Sequence, residues 1–283
     1  MTDDDARSAF PKPKVIITGA AGGMGQACAR RLANSHALIL ADFNRDRLHA
    51  LAETLRDDDD AEIAATIYGD IADDLSIGEI AKAASDGDCT ALVHTAGLSP
   101  ALAGWAAIVR TNLVGTAKLL AAVEPLLSPG FVGIFLSSTA RCFTAPPGEA
   151  LATVLSRPMA DDLIQRIAPL LGNEEASRAE NAYAYTKAWV SDMAQRRATY
   201  WASKGARIVS LSPGFVRTGM TKKEVVERPD MLKLLNATPL GRWGTVNDIA
   251  NVVEFILSDK ASFITGTDIV IDGGLSARIL TQS

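Results

Sequence analysis

The amino-acid sequence predicts an α/β fold, a single doubly wound domain built around a parallel sheet. Segments with strand character alternate with segments of helical periodicity, which indicates βαβ units. Residues 37–41 are apolar throughout, as expected of a strand that is buried on both faces. No change of composition between residues 14 and 275 marks a linker. We therefore expect one domain over residues 14–283, preceded by a polar tail over residues 1–13.

The individual elements follow from local patterns along the chain. Seven segments have strand character: 14–18, 37–41, 63–68, 90–94, 131–138, 207–211 and 268–271. Helical patterns cover residues 24–34, 45–56, 105–127, 181–204 and 246–257. Crossovers between parallel strands are right-handed, and ligands bind at the carboxyl ends of such strands. A ligand site is therefore expected at that edge of the sheet.

Composition and charge exclude several classes of protein. Of the 283 residues, 48% are hydrophobic and 22% charged, which is typical of a globular chain. A net charge of −5 gives no general attraction to nucleic acid or to an anionic membrane. The N-terminus is acidic where a signal peptide is basic, and no apolar run approaches the ~20 residues that span a bilayer. Three widely spaced cysteines predict neither a metal cluster nor a disulfide framework. We expect a soluble, cytoplasmic protein.

A glycine-rich turn follows the first strand directly. Residues 18–25 read TGAAGGMG and open a helical segment. Glycines let the backbone approach a pyrophosphate, and a helix N-terminus offers N–H groups and the positive end of a dipole. The position between a strand and a helix makes the motif more specific. We interpret it as a dinucleotide site, with a tight turn that binds nothing as the alternative.

Acidic residues end the second and third strands. Asp42 lies 17 residues after Gly25, where a carboxylate can bind both hydroxyls of an adenosine ribose and repel a 2′-phosphate. This favours NAD over NADP, although Arg45 lies close enough to bind a phosphate. Asp70 and Ile71 end the third strand, where they can face the adenine, or simply form a turn.

Tyr183 and Lys187 are four residues apart on a predicted helix and therefore share a face. A phenol is a poor acid or base at neutral pH, but a neighbouring ammonium favours its phenolate. The pair can then exchange the proton that accompanies hydride transfer. Tyr-x-x-x-Lys is common by chance, so its significance depends on the other motifs. Tyr185 has Trp189 four residues later and is not a comparable candidate.

Several further motifs occur in a fixed order along residues 14–275. They are the glycine turn, Asp42, His94-Thr95-Ala96-Gly97, Asn112, Ser137-Ser138, Tyr183-x-x-x-Lys187, Pro213-Gly214 and Ile271-Asp272-Gly273-Gly274. In this order they resemble the short-chain dehydrogenase/reductase family. The resemblance implies a Rossmann-type domain with a seven-stranded parallel sheet. It also implies an NAD-dependent oxidoreductase that interconverts a secondary alcohol and a ketone.

The resemblance also implies roles for individual residues. Ser138 would bind the substrate oxygen, Tyr183 would be the acid and base, and Asn112 would hold a water that relays protons to Lys187. Lys187 would bind the nicotinamide ribose and favour the phenolate. The remaining cofactor contacts would be Gly19, Gly23, Met24, Gly25, Asp42, Asp70, Ile71, Ala96, Gly97, Pro213, Gly214, Val216 and Thr218, besides Tyr183 and Lys187. His94 is expected to be a buried, hydrogen-bonded residue rather than a base.

Two other functions remain open at this point. The spacing Gly19-x-x-Gly22-x-x-Gly25 also occurs in family members that modify sugar nucleotides, so an epimerase or dehydratase is one alternative. The Ala96-Gly97 and Pro213-Gly214 motifs favour the shorter oxidoreductases instead. A regulator that senses NAD without catalysis is the other alternative. The presence of Asn112, Ser138, Tyr183 and Lys187 disfavours it, because a sensor needs none of them.

The spacing between Ser138 and Tyr183 is unusually long, at 45 residues. This spacing is similar to that of a bacterial subgroup, 3α-hydroxysteroid dehydrogenase/carbonyl reductase, whose members carry a helical insertion before the catalytic helix. Here the insertion would occupy about residues 144–180, with amphipathic stretches at 151–155 and 163–171. The subgroup implies a small apolar alcohol or carbonyl substrate, steroid or cyclic, and residues 217–241 are expected to cover it as a lid.

The insertion also bears on assembly. Other family members use the surface of the catalytic helix to form tetramers, and a helical pair tethered beside that helix would cover it. We therefore expect a homodimer that uses residues 246–271, with a tetramer as the alternative. The apolar residues of 246–257 exceed what one helix face can bury within a subunit.

Overall fold

A seven-stranded sheet forms the centre of the computed structural model, which describes residues 11–86, 88–219 and 237–282. The strands are β1 Lys14–Thr18, β2 Ala37–Asp42, β3 Ile63–Tyr68, β4 Cys89–His94, β5 Val132–Leu136, β6 Arg207–Pro213 and β7 Thr267–Ile271. They are all parallel, in the order β3-β2-β1-β4-β5-β6-β7. The predicted single domain and seven parallel strands are confirmed. Residues 1–10 of the predicted tail and 220–236 of the predicted lid lie outside the described residues.

Helices connect the strands and cover both faces of the sheet. In the described residues they are α1 Gly23–Leu32, α2 Arg45–Asp59, α3 Asp74–Ala83, α4 Trp105–Val109, α5 Thr116–Val123, α6 Glu149–Leu155, α7 Leu163–Ile167, α8 Glu175–Ser203, α9 Val246–Leu257 and α10 Leu275–Gln282. A π-helical segment, Arg110–Gly115, joins α4 to α5. Helix α3 was not predicted, because Ile77 and Ile80 are its only large buried residues and Leu75 is exposed.

Alternation along each strand divides the core into two layers. Val15 and Ile17 of β1 belong to the layer that contains α1, α2 and α9. Ile16 belongs to the opposite layer, with α3, α5 and α8. Successive side chains of a strand point to opposite faces, so a central parallel strand must be apolar at nearly every position. This accounts for the continuous apolar runs in the sequence.

The order of the strands reverses between β1 and β4, which are neighbours although they are distant in sequence. Thr18, at the carboxyl end of β1, pairs with His94 at the carboxyl end of β4. The connections leave these two strands in opposite directions, and a crevice opens between them. This topological switch point is where a doubly wound sheet binds its ligand.

The helical insertion packs against its own subunit. Leu151, Leu155 and Ile167 lie in one buried cluster with Ile108 of α4 and Ala182 of α8. Packing against α8, the helix that carries Tyr183 and Lys187, was predicted, whereas packing against α4 was not. The expected end of the insertion at residue 180 was wrong, because α8 begins at Glu175. Its first two turns bury only alanines, which produce no visible apolar periodicity.

The stretch Trp105–Leu126, which includes α4 and α5, is long and apolar enough to cross a membrane by length and composition. The sequence pattern alone indicates no apolar run of this length. Half of the apolar stretch is buried inside the protein. Ile108 and Leu113 pack against the insertion, and Leu119 packs under the sheet. Its apolar character is therefore explained by the core.

Candidate active site

A cleft of about 590 Å³ opens at the carboxyl ends of the strands. It is bordered by nine of the predicted site residues: Met24, Gly97, Ser138, Tyr183, Lys187, Pro213, Gly214, Val216 and Thr218. The cleft thus joins the glycine turn to the loops after β4, β5 and β6 and to helix α8. A second depression, of about 700 Å³, lies between Arg141 and Leu280. None of the four catalytic candidates lines this depression, whereas Ser138, Tyr183 and Lys187 line the first cleft, which we therefore regard as the active site.

Two glycines of the turn, Gly19 and Gly25, are packed so tightly that a side chain cannot fit at either position. Gly19 has a φ of +67°, and a Cβ there would lie 2.6 Å from the backbone nitrogen of Ala96. A Cβ on Gly25 would lie 2.2 Å from the carbonyl oxygen of Gly19. These two contacts press the start of α1 against the loop after β4. Gly23 instead faces Thr218, whose Cγ2 is 3.2 Å from the position of a Cβ.

The N-terminus of α1 suits an anion. Gly22 is the N-cap of this helix, and in the described part of the chain no side chain caps it. The first amides of a helix lack internal partners and lie at the positive end of its dipole. Met24, in the first turn, borders the cleft. The turn therefore fits the pyrophosphate of a dinucleotide by its backbone alone.

Asp42 is held at the end of β2, beside this turn. Its Oδ2 accepts a hydrogen bond of 3.0 Å from the backbone of Ala21, and its Oδ1 accepts one of 2.9 Å from the backbone of Asn44. The side chain is nearly buried. Each carboxylate oxygen has a further lone pair, so the fixed carboxylate can accept hydrogen bonds from two ribose hydroxyls.

Two arginines flank Asp42. The guanidinium of Arg45 lies 5.1 Å from the centroid of the Tyr68 ring, within the range of a cation–π contact. Arg47, which the sequence analysis did not single out, donates from Nη2 to the carbonyl oxygen of Ala21 at 2.5 Å. Both cations are therefore engaged with protein groups beside the expected ribose position.

Asp70 and Ile71 follow β3 as predicted, but they have different surroundings. Asp70 is exposed, and its Oδ1 accepts a hydrogen bond of 2.9 Å from the backbone of Ala72. Ile71 is buried, with its Cγ2 only 2.6 Å from the position that a Cβ on Gly115 would take. Gly115 is the last residue of the π-helical segment and precedes α5 directly. Ile71 therefore packs closely against the start of α5.

Lys187 is buried beside Tyr183 on α8. Its Nζ lies 5.9 Å from the centroid of the Tyr183 ring and donates a hydrogen bond of 2.8 Å to the carbonyl oxygen of Leu136. Burial lowers the pKa of Lys187 to about 8. The hydroxyl of Ser137 donates to the backbone carbonyl of Lys187 at 2.7 Å. Ser137 is thus a structural residue at the end of β5, as expected.

Ser138 borders the same cleft and begins a short 3₁₀ turn, Thr139–Phe143. Its Oγ accepts a hydrogen bond of 3.2 Å from the backbone of Ala140. This bond uses a lone pair of the oxygen and leaves the hydroxyl proton for donation. Ser138 can therefore donate to a substrate oxygen that lies between it and Tyr183.

An ion pair that the sequence did not indicate anchors this turn. Arg141 donates from Nη2 to Asp268 of β7 at 2.5 Å and from Nε to Ser212 at 3.2 Å. The Asp268 side chain is almost fully buried and also accepts from Ser210 and Ser212. Nothing local marks Asp268 as a partner of Arg141, since 127 residues separate them.

Asn112 lies in the π-helical segment, behind Gly97. Its Oδ1 accepts from the backbone nitrogen of Leu98 at 2.8 Å, and its Nδ2 donates to the carbonyl oxygen of Leu98 at 2.9 Å. A Cβ on Gly97 would lie 3.3 Å from this Oδ1 and 3.2 Å from the Nζ of Lys187. Asn112 and Lys187 thus both approach the position that a Cβ of Gly97 would take, and glycine keeps this space open.

His94 is fully buried at the end of β4. Its Nδ1 lies 2.6 Å from the hydroxyl of Thr18, and its Nε2 lies 2.8 Å from the hydroxyl of Thr116. Burial and the nearby charge of Lys187 lower the pKa of His94 to about 3. The prediction of a buried, hydrogen-bonded histidine is confirmed.

Comparison with known proteins gives a consistent assignment of the chain. The family model described as "short chain dehydrogenase" matches residues 13–146, and the model described as "Enoyl-(Acyl carrier protein) reductase" matches residues 167–276. A short-chain dehydrogenase/reductase of Alternaria brassicicola is 32% identical over 94% of this chain and 96% of its own. The D-threitol dehydrogenase of Mycolicibacterium smegmatis is 31% identical over 93% and 92%, respectively.

A solved structure is similar over almost the whole fold. The 3-alpha-hydroxysteroid dehydrogenase of Pseudomonas sp., complexed with NADH, superimposes with a TM-score of 0.75 and 25% sequence identity. The match covers 95% of this chain and 99% of that one. The subgroup to which the sequence pattern pointed is therefore represented among its structural relatives.

Proposed function

The chain belongs to the short-chain dehydrogenase/reductase family of oxidoreductases, and we propose that it interconverts a secondary alcohol and a ketone with NAD as cofactor. One observation carries the proposal: Ser138, Tyr183 and Lys187 border a single cleft that reaches the glycine turn. The relatives described above are dehydrogenases and reductases, which favours oxidoreduction over sugar-nucleotide epimerisation and over sensing without catalysis.

The residues of the cofactor side fit a dinucleotide. The uncapped start of α1 would bind the pyrophosphate, Asp42 the adenosine ribose, and Lys187 the nicotinamide ribose. Gly214, Val216 and Thr218 would border the nicotinamide. When bound, the nicotinamide supplies the hydride acceptor for alcohol oxidation and the hydride donor for the reverse reaction. Family members use nicotinamide cofactors, and the fixed carboxylate of Asp42 supports NAD over NADP, because it would repel a 2′-phosphate.

The proton chemistry falls to residues of this chain. Ser138 would donate to the substrate oxygen and hold it near the Tyr183 hydroxyl. In alcohol oxidation, the phenolate of Tyr183 would take the hydroxyl proton; in ketone reduction, Tyr183 would return it. A charged Lys187 favours the phenolate, and burial lowers the pKa of this lysine to about 8. We infer that protons then pass between Lys187 and a water that Asn112 would hold beside Gly97.

The substrate side of the cleft is predominantly apolar. Leu98, Phe143, Ala179 and Phe215 line it beside Ser138. Such walls support a small apolar alcohol or ketone, cyclic or steroid, because burial of apolar surface supplies the binding energy. The 3-alpha-hydroxysteroid dehydrogenase neighbour supports the same class, whereas the D-threitol dehydrogenase relative favours a polyol.

A panel of alcohols tests the proposal directly. The protein is incubated with NAD and, separately, with cyclohexanol, a 3α-hydroxysteroid or D-threitol, and NADH formation is followed by absorbance. We expect NADH with at least one of the two apolar alcohols and a higher kcat/KM with NAD than with NADP. A preference for D-threitol would contradict the apolar assignment, and no turnover with any alcohol would contradict the reaction.

We also propose a homodimer that uses residues 246–271. Phe255, Phe263 and Val270 expose apolar side chains along this edge, while Val253 and Ile256 are buried within the subunit. The insertion covers the first half of α8, including Ala179 and Ala182, which supports a face other than that part of the helix. Analytical ultracentrifugation at micromolar concentration should give a dimer, and Phe255→Lys should give a monomer. A stable tetramer would contradict the proposal.

A cytoplasmic location is the last part of the proposal. The cysteines are free, and burial raises the pKa of the Cys28 thiol to about 12 and that of Cys89 to about 11. Buried thiols that stay protonated are unreactive and suit a reducing compartment. Fractionation of cells that express the full chain should recover it with the cytosolic proteins.

A further inference from the structure

A buried chain of hydrogen bonds joins the end of β4 to the π-helical segment. The Nε2 of His94 lies 2.8 Å from the hydroxyl of Thr116, and that hydroxyl donates to the carbonyl oxygen of Asn112 at 2.7 Å. On the other side of the ring, Nδ1 lies 2.6 Å from the hydroxyl of Thr18. All four residues are buried at 1% relative exposure. His94 is therefore connected to Asn112 without bordering the cleft itself.

The partners determine the direction of each bond. The carbonyl of Asn112 can only accept, so it receives the single hydroxyl proton of Thr116. The oxygen of Thr116 must then accept from Nε2–H of His94. A neutral ring has one N–H group. With this proton on Nε2, Nδ1 carries none and accepts from the hydroxyl of Thr18. The pKa of about 3 agrees with a neutral ring. One tautomer of His94 satisfies every group in the chain.

The segment that His94 reaches needs an external support. A π-helical turn is rare and is flanked here by ordinary helix on both sides, α4 and α5. Thr116 is the first residue of α5, so a bond to Thr116 sets where the wider turn ends. Within the turn, Asn112 makes two bonds to Leu98 that depend on its orientation. A change in the phase of the helix would turn Asn112 away from Gly97.

We propose that His94 is a positioning residue: through Thr116 it fixes the π-helical turn that holds Asn112 across Gly97 from Lys187. Its catalytic consequence rests on the proposed function, in which Lys187 and a water held by Asn112 relay the proton. His94 does not act as a base, because both of its ring nitrogens are occupied within the core.

Matched variants separate positioning from general stability. Thr116→Val removes the hydroxyl and retains the branched shape, whereas Thr116→Ser retains the hydroxyl. His94→Gln can present an amide donor near the position of Nε2, whereas His94→Asn is too short to reach Thr116. Leu119→Ala is the structural control, because Leu119 lies on the same helix, α5, and is fully buried in the apolar core.

Turnover provides the first measurement. We expect Thr116→Val to lower kcat by about tenfold to a hundredfold, as a misplaced proton-transfer group does, with KM and the Kd for NADH unchanged. The solvent deuterium isotope effect on kcat should rise, because proton transfer becomes slower. Thr116→Ser should restore both values, and His94→Gln should exceed His94→Asn in kcat. Leu119→Ala should lower Tm and leave the isotope effect of the folded enzyme unchanged.

Nitrogen-15 NMR of the histidine rings provides a measurement that needs no turnover. The chain has three histidines, of which His94 is the fully buried one. We expect its Nε2 to carry a proton and its Nδ1 to carry none between about pH 5 and pH 8, in line with its lowered pKa. The side-chain amide signal of Asn112 should move in Thr116→Val and return in Thr116→Ser.

The outcomes separate the two proposals. A wild-type chain that oxidises no alcohol overturns the proposed function, while the NMR signals still decide whether His94 holds the turn. A proton on Nδ1, or an Asn112 signal that Thr116→Val leaves unmoved, overturns the positioning role. So does a Thr116→Val variant with wild-type kcat and isotope effect, or a Leu119→Ala variant that reproduces its changes.

Discussion

The two halves of the candidate site are built in different ways. The cofactor side consists of the glycine turn and Asp42, where backbone amides, close packing and a single carboxylate define the surface. The proton-transfer side consists of buried polar side chains, His94, Asn112 and Lys187, that come from β4, the π-helical segment and α8. One half depends on the shape of a short stretch of chain, and the other on bonds between distant elements.

This difference determines how each half responds to substitution. An added methyl group in the glycine turn meets backbone atoms, which can move only if the whole turn moves. On the proton-transfer side, removal of one hydroxyl or amide leaves the fold in place and disconnects a bond. We therefore expect substitutions on the cofactor side to change binding and stability together. Substitutions on the other side should change the rate at nearly constant binding.

The largest expected effect is the loss of the Tyr183 hydroxyl. Tyr183→Phe should lower kcat by about 10²–10⁴-fold, the usual contribution of a general acid or base, and leave the Kd for NADH unchanged. Turnover and fluorescence titration measure the two values. Tyr185→Phe is the control, because Tyr185 lies on the same helix and packs against the insertion. Turnover of the Tyr183 variant within about tenfold of wild type would remove Tyr183 from the mechanism.

Gly25→Ala should combine a loss of cofactor affinity with a loss of stability. The new methyl would lie 2.2 Å from the oxygen of Gly19 and 2.8 Å from the Cα of Ala20. Overpacking of this kind costs about 1–3 kcal/mol, and the displaced turn should no longer fit a pyrophosphate. Urea unfolding and NADH titration measure the two effects. Gly78→Ala, on the exposed side of α3 with open space around it, should be neutral or stabilising.

The sequence predicts the cofactor side of the site better than the proton-transfer side. The turn and Asp42 are close in sequence, so one motif identifies them. The sequence indicates the role of Asn112 only through family resemblance. It does not indicate the π-helical segment, because the bond that supports this segment comes from His94, which lies 22 positions before Thr116. The ion pair between Arg141 and Asp268 was missed for the same reason, since it joins residues 127 positions apart.

Strands were predicted more accurately than helix ends. Strand β1 has the predicted bounds, because its buried β-branched run ends abruptly at the glycine turn. Helix α8 begins at Glu175, earlier than the apolar pattern indicated. Its first turns are buried through Ala179 and Ala182, which are too small to produce a recognisable apolar periodicity. A periodicity argument finds large apolar side chains, and it fails where alanines allow two helices to approach closely.

A smaller effect is expected from Asp42→Ala, which tests whether this one carboxylate determines the preference for NAD over NADP. Loss of hydrogen bonds to a charged group costs about 1.5 kcal/mol or more, so kcat/KM with NAD should fall about tenfold. Activity with NADP should fall less or rise, because the repulsive charge is gone. Asp46→Ala, at an exposed position in the first turn of α2, is the control. An unchanged ratio of kcat/KM for NAD and NADP would place Asp42 away from the ribose.

The last expected effect concerns stability alone, without a change in turnover at neutral pH, and sharpens the account of the proton-transfer side. Burial holds the pKa of His94 at about 3 in the folded protein, below its ordinary value of 6.5. Between these values the unfolded chain binds a proton that the folded chain excludes, so His94 lowers stability as the pH falls through this window. The fully developed slope is about 1.4 kcal/mol per pH unit.

His94→Gln has no such group, and its free energy of unfolding should fall less steeply between about pH 6 and pH 4. Urea unfolding of the wild type and the variant at several pH values measures the difference in slope. His49→Gln is the control, because His49 is exposed and forms its ion pair with Glu53 at the surface. Equal slopes for the wild type and His94→Gln would mean that His94 takes up its proton in the folded state. A doubly protonated ring donates from both nitrogens, so Thr18 would have to turn its hydroxyl and accept instead of donate. Equal slopes would therefore require a rearrangement of Thr18 or Thr116.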